Sequence, residues 1–538
     1  MNVNAYLRAA ALAVFCAAIG FGLGRQNPFN TAALAAPTSA PARDSYQFFD
    51  TLVDLRSQIL HNYVEKIDDA KLINGAIKGM MAELDPYSNY FTKEELASFD
   101  RAVHGQFSGI GAEISQDPVN GAFVIVSPLD DSPALKAGIY AGDRILKLNG
   151  ESVEGLALKD LLTRIGGEPG TEVKFTVVHE GQKNPVDITV TRAVVQIHSV
   201  RGFRHLEGGE GGWDFLIDPE RHIAYVRITN FMENTAEELD QAVLPLLADK
   251  KGALKGIILD LRFNPGGQLQ AGIDVCKRFL DSGVIVTAGR PDSAKRDFVA
   301  EATKEKTYPR VPLVVLINEY SASASEIVAG ALKDHRRAVL IGARTFGKGS
   351  VQSLMNLDNG NAALKLTTQY YYLPSGKNVM KKKDSKEWGV DPDPAFNIPL
   401  TDDENRAVLA ARSQSEIIHK GRASATVPAI APVTAVATGA ATGPTSATAP
   451  AAVPAPADNP LTSATAAGAR GEPADRQLQR ALEMLIAYQA FGPMKEFGAD
   501  VTTTRPGASA SVPTSAPTGP QSVPDSQSQP QTDPIIPQ

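Results

Sequence analysis

The reading turns on the stretch Ile317-Asn318-Glu319-Tyr320-Ser321-Ala322-Ser323-Ala324-Ser325-Glu326, which continues to Phe346-Gly347-Lys348-Gly349-Ser350-Val351-Gln352. Val311 to Ile317 is a short apolar run of the kind that forms a fully buried strand. Ile327 to Ala338 then reads as a helix with Ile327, Val328, Ala331 and Leu332 on one face. A hydroxyl-bearing turn of small residues between a buried strand and a helix is where hydrolases hold a nucleophile. The helix N-terminus there offers unpaired N–H groups and partial positive charge. Ser323-x-x-Glu326 also fits a capping box, which needs no chemistry, so the turn alone admits both readings.

Upstream, strands alternate with helices. Ile223 to Ile228 is strand-like, Thr235 to Leu247 is helical, and Gly256 to Arg262 is a buried strand followed by Phe263-Asn264-Pro265-Gly266-Gly267. A helix around Leu269 to Leu280 leads back to the decisive stretch, and Leu364 to Tyr371 adds a strand beyond it. This alternation implies an α/β core with helices covering the sheet.

Between Gly105 and about Ala193 the character changes to short strands and glycine turns. Ser132-Pro133-Ala134-Leu135 opens a short helix with proline in its first turn, and Gly142-Asp143-Arg144-Ile145 begins a strand closed by the Asn149-Gly150 hairpin turn. This order resembles a PDZ domain. PDZ domains bind extended C-terminal peptides by strand addition, with the carboxylate on N–H groups of a glycine-containing loop. The resemblance puts that loop at Ser108, Gly109, Ile110 and Gly111. A structural β-module without a ligand is the plainer alternative.

The ends read differently. Arg8 precedes the apolar stretch Ala9 to Leu23, with Ala33-Leu34-Ala35 as a possible cleavage site, so residues 1–35 are read as a signal peptide or membrane anchor. Two helical stripes follow, one from Tyr46 to Tyr63 and one through Leu72, Ile73, Ile77 and Met80; they are too few for a core and are expected to pack on a neighbour or a second subunit. Beyond about Ala423 the chain turns to Ala, Pro, Thr and Val, a composition expected to be disordered, interrupted by a helix that Asp475 can cap. With 538 residues there is room for two or three domains, and a net charge of −7 argues against nucleic acid as a principal partner. Cys16 and Cys276 are the two cysteines, with no metal-type cluster.

A serine hydrolase first suggests a histidine base. His335 lies 12 positions after Ser323 along one helix, roughly 18 Å away at 1.5 Å per residue, beyond proton-transfer reach. His198, His205 and His222 are not excluded by distance, yet none has a triad-like setting. A neutral lysine can replace histidine where burial lowers its pKa, and Lys348, between two glycines, is the best candidate, with Gln352 able to hold its amine in line. The rival phosphate-loop reading fails at the last position of the pattern.

Taken together, residues from about Tyr46 to Pro394 resemble the C-terminal processing peptidases, also called tail-specific serine proteases. The motifs are Leu84-Asp85-Pro86-Tyr87-Ser88, the PDZ signature, Asp260-Leu261-Arg262-Phe263-Asn264-Pro265-Gly266-Gly267, the serine turn, Gly347-Lys348-Gly349-Ser350-Val351-Gln352 and Tyr371-Tyr372-Leu373-Pro374-Ser375-Gly376. The resemblance implies a serine–lysine dyad, with Ser323 as nucleophile, Lys348 as base 25 positions later, Gln352 in support, and Gly266 and Ala324 N–H groups as the oxyanion hole. Phe263, where asparagine is commoner, and the lysine-rich insert Val379 to Trp388 depart from the pattern.

The expected fold is α/β within an α+β multidomain chain. A serine protease core of ββα (crotonase/Clp-like) units carries an inserted PDZ β-module, N-terminal helices and a disordered C-terminal region. The expected boundaries are 36–45 linker, 46–103 helical region, 104–194 PDZ domain, 195–400 catalytic core, 401–422 flanking segment, 423–473 disordered linker, 474–497 C-terminal helix and 498–538 disordered tail. The expected function is an exported endopeptidase, periplasmic or in the cell envelope. It would take the accessible C-termini of protein or peptide substrates, use no metal or cofactor, form a homodimer, and meet the membrane only through the N-terminal segment. A catalytically dead PDZ scaffold and a hydratase-like enzyme are the competing readings.

Overall fold

A computed structural model describes residues 47–103, 105–117, 120–206, 212–249, 252–291, 293, 296–305, 307–357, 360–418 and 475–492. The expected signal or anchor, the two disordered segments and Cys16 lie outside the described residues.

The central sheet is built on four parallel strands in the order Ile223–Ile228, Gly256–Asp260, Leu313–Ile317 and Val339–Gly342. Val200–Arg201 and Leu216–Asp218 pair antiparallel with the first of them. Every residue of the first three strands is buried, as a parallel sheet covered on both faces requires. Helices Thr235–Leu247, Leu269–Phe279 and Ala324–Asp334 supply Leu239, Val243, Ile273, Phe279, Ile327 and Leu332 to this core. The helix Arg476–Phe491 packs on the last three of the four strands and buries Leu478, Ala481, Leu482 and Leu485. Asp475 caps it, accepting the Leu478 N–H at 3.0 Å.

A second, antiparallel sheet joins Asn89–Thr92, Ala362–Tyr372, Val284–Gly289 and Phe298–Glu301, with Ser350–Leu357 also paired to the long strand Ala362–Tyr372. The PDZ-like module is a separate antiparallel sheet ordered Ala112–Gln116, Phe123–Pro128, Arg144–Leu148, Glu172–Val178, Val186–Thr191. Its core centres on Phe123, Ile125, Leu161, Phe175 and Val190. Asn149 and Gly150 both take positive φ, as the expected hairpin turn demands.

Three sequence expectations shift. The helix after the serine turn runs Ala324–Asp334, not Ile327 to Ala338. It starts at once because the Glu326 carboxylate captures the Ser323 N–H at 2.8 Å, and it ends where Arg336 enters the left-handed region and the Arg337 N–H closes on the Leu332 carbonyl at 2.8 Å. The module's last boundary falls inside a strand, because Ala193–Gln196 pairs with Gln106–Gly109. The N-terminal region is not purely helical, since Asn89–Thr92 joins the second sheet. Its helices Gln47–Asn62 and Asp69–Ala82 leave Phe49, Val53, Ile73 and Met80 exposed.

Gly342 ends the fourth parallel strand at φ +134°, where an added Cβ would lie 1.9 Å from the Ile317 carbonyl oxygen. Gly342→Ala is expected to cost about 3 kcal/mol or more in urea unfolding. Gly181→Ala, at φ +75° in open space, is expected to cost about 1 kcal/mol.

Candidate active site

The serine turn is sharp and held from both sides. Ser323 adopts φ 56° and ψ −115°, a conformation that a non-glycine residue keeps only when its surroundings enforce it. The enforcement comes from the neighbouring serines. Ser321 Oγ donates to the Leu261 carbonyl at 2.8 Å, and Ser325 Oγ donates to the Asn264 carbonyl at 2.9 Å. Both bonds pin the turn to the adjacent loop and leave the Ser323 side chain at the bend, 6% exposed.

Glu326, with no exposed surface, ties this turn to the lysine segment. One carboxylate oxygen accepts the Ser323 and Lys348 N–H groups, each at 2.8 Å. The other accepts Thr345 Oγ at 2.6 Å and the Gly347 N–H at 2.8 Å. Burial pushes its pKa up to about 7, against the opposing pull of these four donors. Tyr371 adds a second tie, donating from its hydroxyl to the Ser323 carbonyl at 3.2 Å and also to that of Lys348.

Lys348 is 1% exposed. Its glycine neighbours are explained by the insert that the sequence left without a role. A Cβ on Gly347, at φ +92°, would meet Trp388 and Lys381, and one on Gly349 would lie 2.6 Å from the Met380 nitrogen. The Lys381 N–H donates to the Gly347 carbonyl at 2.8 Å. The lysine-rich insert is therefore a brace on the Lys348 segment. Across the site Lys348 Nζ sits 4.4 Å from the centroid of the Tyr87 ring. Asp85 holds that tyrosine's turn by accepting the Tyr87 and Ser88 N–H groups at 2.8 and 2.9 Å, and Ser88 Oγ accepts the Thr367 N–H at 3.0 Å.

A Cβ on Gly266, at φ +101°, would be 2.7 Å from Ser323 Cβ and 3.1 Å from the Ala324 nitrogen, so these three expected residues converge. The Gly266 N–H donates to Asn264 Oδ1 at 2.8 Å, whereas helix geometry leaves the Ala324 N–H without an intrahelical acceptor. Gln352 is buried and donates to Ser350 Oγ at 2.9 Å and Thr367 Oγ at 3.2 Å. Its Oε1 has no hydrogen-bond partner, so the amide oxygen is not joined to Lys348. Phe263 stacks on Tyr320 with centroids 5.3 Å apart, which gives the unusual phenylalanine a packing role. Three of the histidines are engaged elsewhere: His198 with Glu238, His205 with the Gly212 carbonyl and His335 with the Val284 carbonyl.

In the PDZ-like module Ser108 and Gly109 belong to the strand paired with Ala193–Gln196, and Ser108 Oγ donates to the Gly167 carbonyl at 2.6 Å. Ile110 and Gly111 form the turn into Ala112–Gln116, which is the edge strand of its sheet. An edge strand presents unpaired backbone groups, the feature strand addition uses.

Tyr87, Glu326, Thr345 and Tyr371 were not read from the sequence as members of the site. Only Glu326 carried a local signal, the capping-box spacing. Replacing Glu326 with glutamine turns one acceptor oxygen into a donor facing two donors. Glu326→Gln is expected to lower kcat at least tenfold and stability by about 1–3 kcal/mol, checked by steady-state kinetics and urea unfolding. Because its folded pKa lies above the ordinary glutamate value, Glu326 makes the protein more stable below about pH 4.5. That contribution is lost as pH rises toward about 7, and Glu326→Gln should remove this slope.

Residues 222–396 match the family model "Peptidase family S41", residues 30–95 match "Activating protease CtpB N-terminal domain", and residues 108–190 match "PDZ domain". The carboxy-terminal-processing protease of Bartonella bacilliformis is 36% identical over 404 residues, which are 72% of this chain and 86% of that protein. The carboxy-terminal processing protease CtpA of Bacillus subtilis is 38% identical over 335 residues, 62% of this chain and 67% of its own. A solved photosystem II D1 C-terminal processing protease shares 32% identity over 65% of this chain and 86% of its own, with a TM-score of 0.35. The chain belongs to the carboxy-terminal processing proteases, PDZ-containing serine peptidases of family S41.

Proposed function

We propose that this peptidase is an exported endopeptidase that works through a Ser323–Lys348 dyad and captures the C-terminus of its protein substrates in the PDZ domain. The observation that carries the reading is the Glu326 carboxylate, which accepts the N–H groups of both Ser323 and Lys348 and so joins two segments 25 residues apart. A lysine acting as a base must be neutral, and a buried setting removes the water that favours an ammonium.

In this mechanism Lys348 Nζ takes the Ser323 Oγ proton as Oγ attacks the scissile carbonyl. The negative oxygen of the tetrahedral intermediate is stabilised by the Ala324 N–H and by the Gly266 N–H once its bond to Asn264 opens. Lys348 then gives its proton to the departing amine, leaving an acyl ester on Ser323. Water, deprotonated by Lys348, attacks the ester, and the serine recovers its proton as the new C-terminal carboxylate leaves. Gln352 Oε1, a buried acceptor with no partner, is suited to orient the amine during these transfers. Substrate enters as an added strand along Ala112–Gln116, with its carboxylate on the N–H groups at Ile110 and Gly111. The apolar residues left exposed on the N-terminal helices support a homodimer. The apolar stretch Ala9 to Leu23 supports export to the periplasm or cell envelope, either as a cleaved signal or as a membrane anchor.

Ser323→Ala and Lys348→Ala are each expected to lower cleavage of an unfolded protein with an apolar C-terminus by at least a thousandfold, read by gel and mass spectrometry. Persistent cleavage in either variant would rule out the dyad. Peptides with a free C-terminus should be cleaved about tenfold faster than their amidated counterparts. Equal rates would rule out carboxylate capture.

A further inference from the structure

The loop that brings Gly266 beside Ser323 begins at Arg262, and Arg262 is held by a residue from the far end of the chain. Its side chain is 1% exposed. Nη1 and Nη2 donate to the two carboxylate oxygens of Asp475, each at 2.8 Å, a forked pair in which both partners fix the other's plane. Nη1 also donates to Gln477 Oε1 at 3.0 Å. On its other side Arg262 meets Asp260, with Nη2 to Oδ2 at 2.7 Å and Nε to Oδ1 at 3.0 Å. Asp260 in turn accepts the Tyr225 hydroxyl at 2.8 Å and the Arg412 guanidinium at 2.5 Å.

The formal charges of this cluster balance: Asp260 and Asp475 against Arg262 and Arg412. Without Asp475 one buried cation has no counter-charge, and Asp260 is shared between two guanidinium groups. Burial works against the Asp475 charge, but the Arg262 charge and its hydrogen bonds hold the carboxyl below the ordinary aspartate range. The strained turn after Arg262 needs such a fixed starting point. Phe263 takes φ +62°, and Gly266 takes φ +101° beside Ser323. The Arg262 carbonyl is held separately by Arg412 Nη1 at 3.3 Å.

Asp475 lies beyond residues 419–474, on the helix Arg476–Phe491. That helix also docks through Leu478, Ala481, Leu482 and Leu485, so its attachment and its charge contribution are separable. We propose that Asp475 is a positioning residue for peptide cleavage. The C-terminal helix supplies the counter-charge that fixes Arg262 and, through it, the Phe263–Gly266 turn against Ser323, so the peptidase core is completed only when this helix is seated. The inference rests on the reading of Ser323 and Gly266 as one catalytic centre.

The test uses the full chain and a short amidated peptide, so that C-terminal capture does not enter. Asp475→Asn is expected to lower kcat at least tenfold with KM within twofold, and Asp475→Glu to recover activity to within threefold of wild type. Leu482→Ala serves as the docking control. It should lower the melting temperature at least as far as Asp475→Asn while keeping kcat within twofold at a temperature well below melting. A kcat within twofold of wild type in Asp475→Asn overturns the inference, as does a loss in Leu482→Ala equal to that in Asp475→Asn. Ser323→Ala, measured alongside, separates the two levels. If it abolishes cleavage, the centre stands and the Asp475 result decides the inference; if it cleaves like wild type, the centre and the inference fall together.

Discussion

A single buried carboxylate holds this candidate active centre together. Glu326 is the third residue of its helix, yet three of its four hydrogen-bond donors, Thr345, Gly347 and Lys348, come from 19 to 22 positions later in the chain. The fourth is the Ser323 N–H of its own turn. Placing a carboxylate where no water reaches is costly, as its pKa near 7 records, and only a full set of donors offsets that cost. The consequence is geometric. The start of the helix and the lysine segment cannot shift independently without leaving a buried acceptor short of a donor.

Around that bond the site is assembled from segments far apart in sequence. Tyr87 reaches Lys348 from the N-terminal region, the Phe263–Gly267 loop approaches Ser323 from the neighbouring strand, and the lysine-rich insert braces the glycines on either side of Lys348. Polar ties also join the PDZ domain to the core. Asp130 accepts the Trp213 indole N–H at 3.0 Å, and His198 stands between Glu238 and Asp131. Glu416 pairs with Arg201 and Arg227 on the core, while the Ile418 N–H donates to Ser127 Oγ of the PDZ domain at 3.1 Å.

Much of this was legible locally. The buried strand, the serine turn, the helix after it and the Asn149-Gly150 hairpin follow from apolar runs and turn chemistry over a few residues. The helix capped by Asp475 was equally plain. The boundaries of the serine helix were not, because its first turn is set by Glu326 and its end by the backbone of Arg336. The insert Val379 to Trp388 looked like an unexplained basic stretch. Its backbone contacts to Gly347 and Gly349 depend on a chain crossing that composition does not encode.

The sequence by itself determined the family, the PDZ module and the α/β core, since each rests on local motifs and patterns, and the resemblance named Ser323 and Lys348 as a candidate pair. Only the tertiary structure decided that Tyr87 reaches Lys348, that Asp475 reaches Arg262, and that Gln352 Oε1 stands unpaired. The physical reason is that hydrogen bonds and ion pairs act over about 3 Å, while the residues making them are separated by tens to hundreds of positions. Which distant groups meet is set by how sheets and helices pack, and packing is a property of the whole chain.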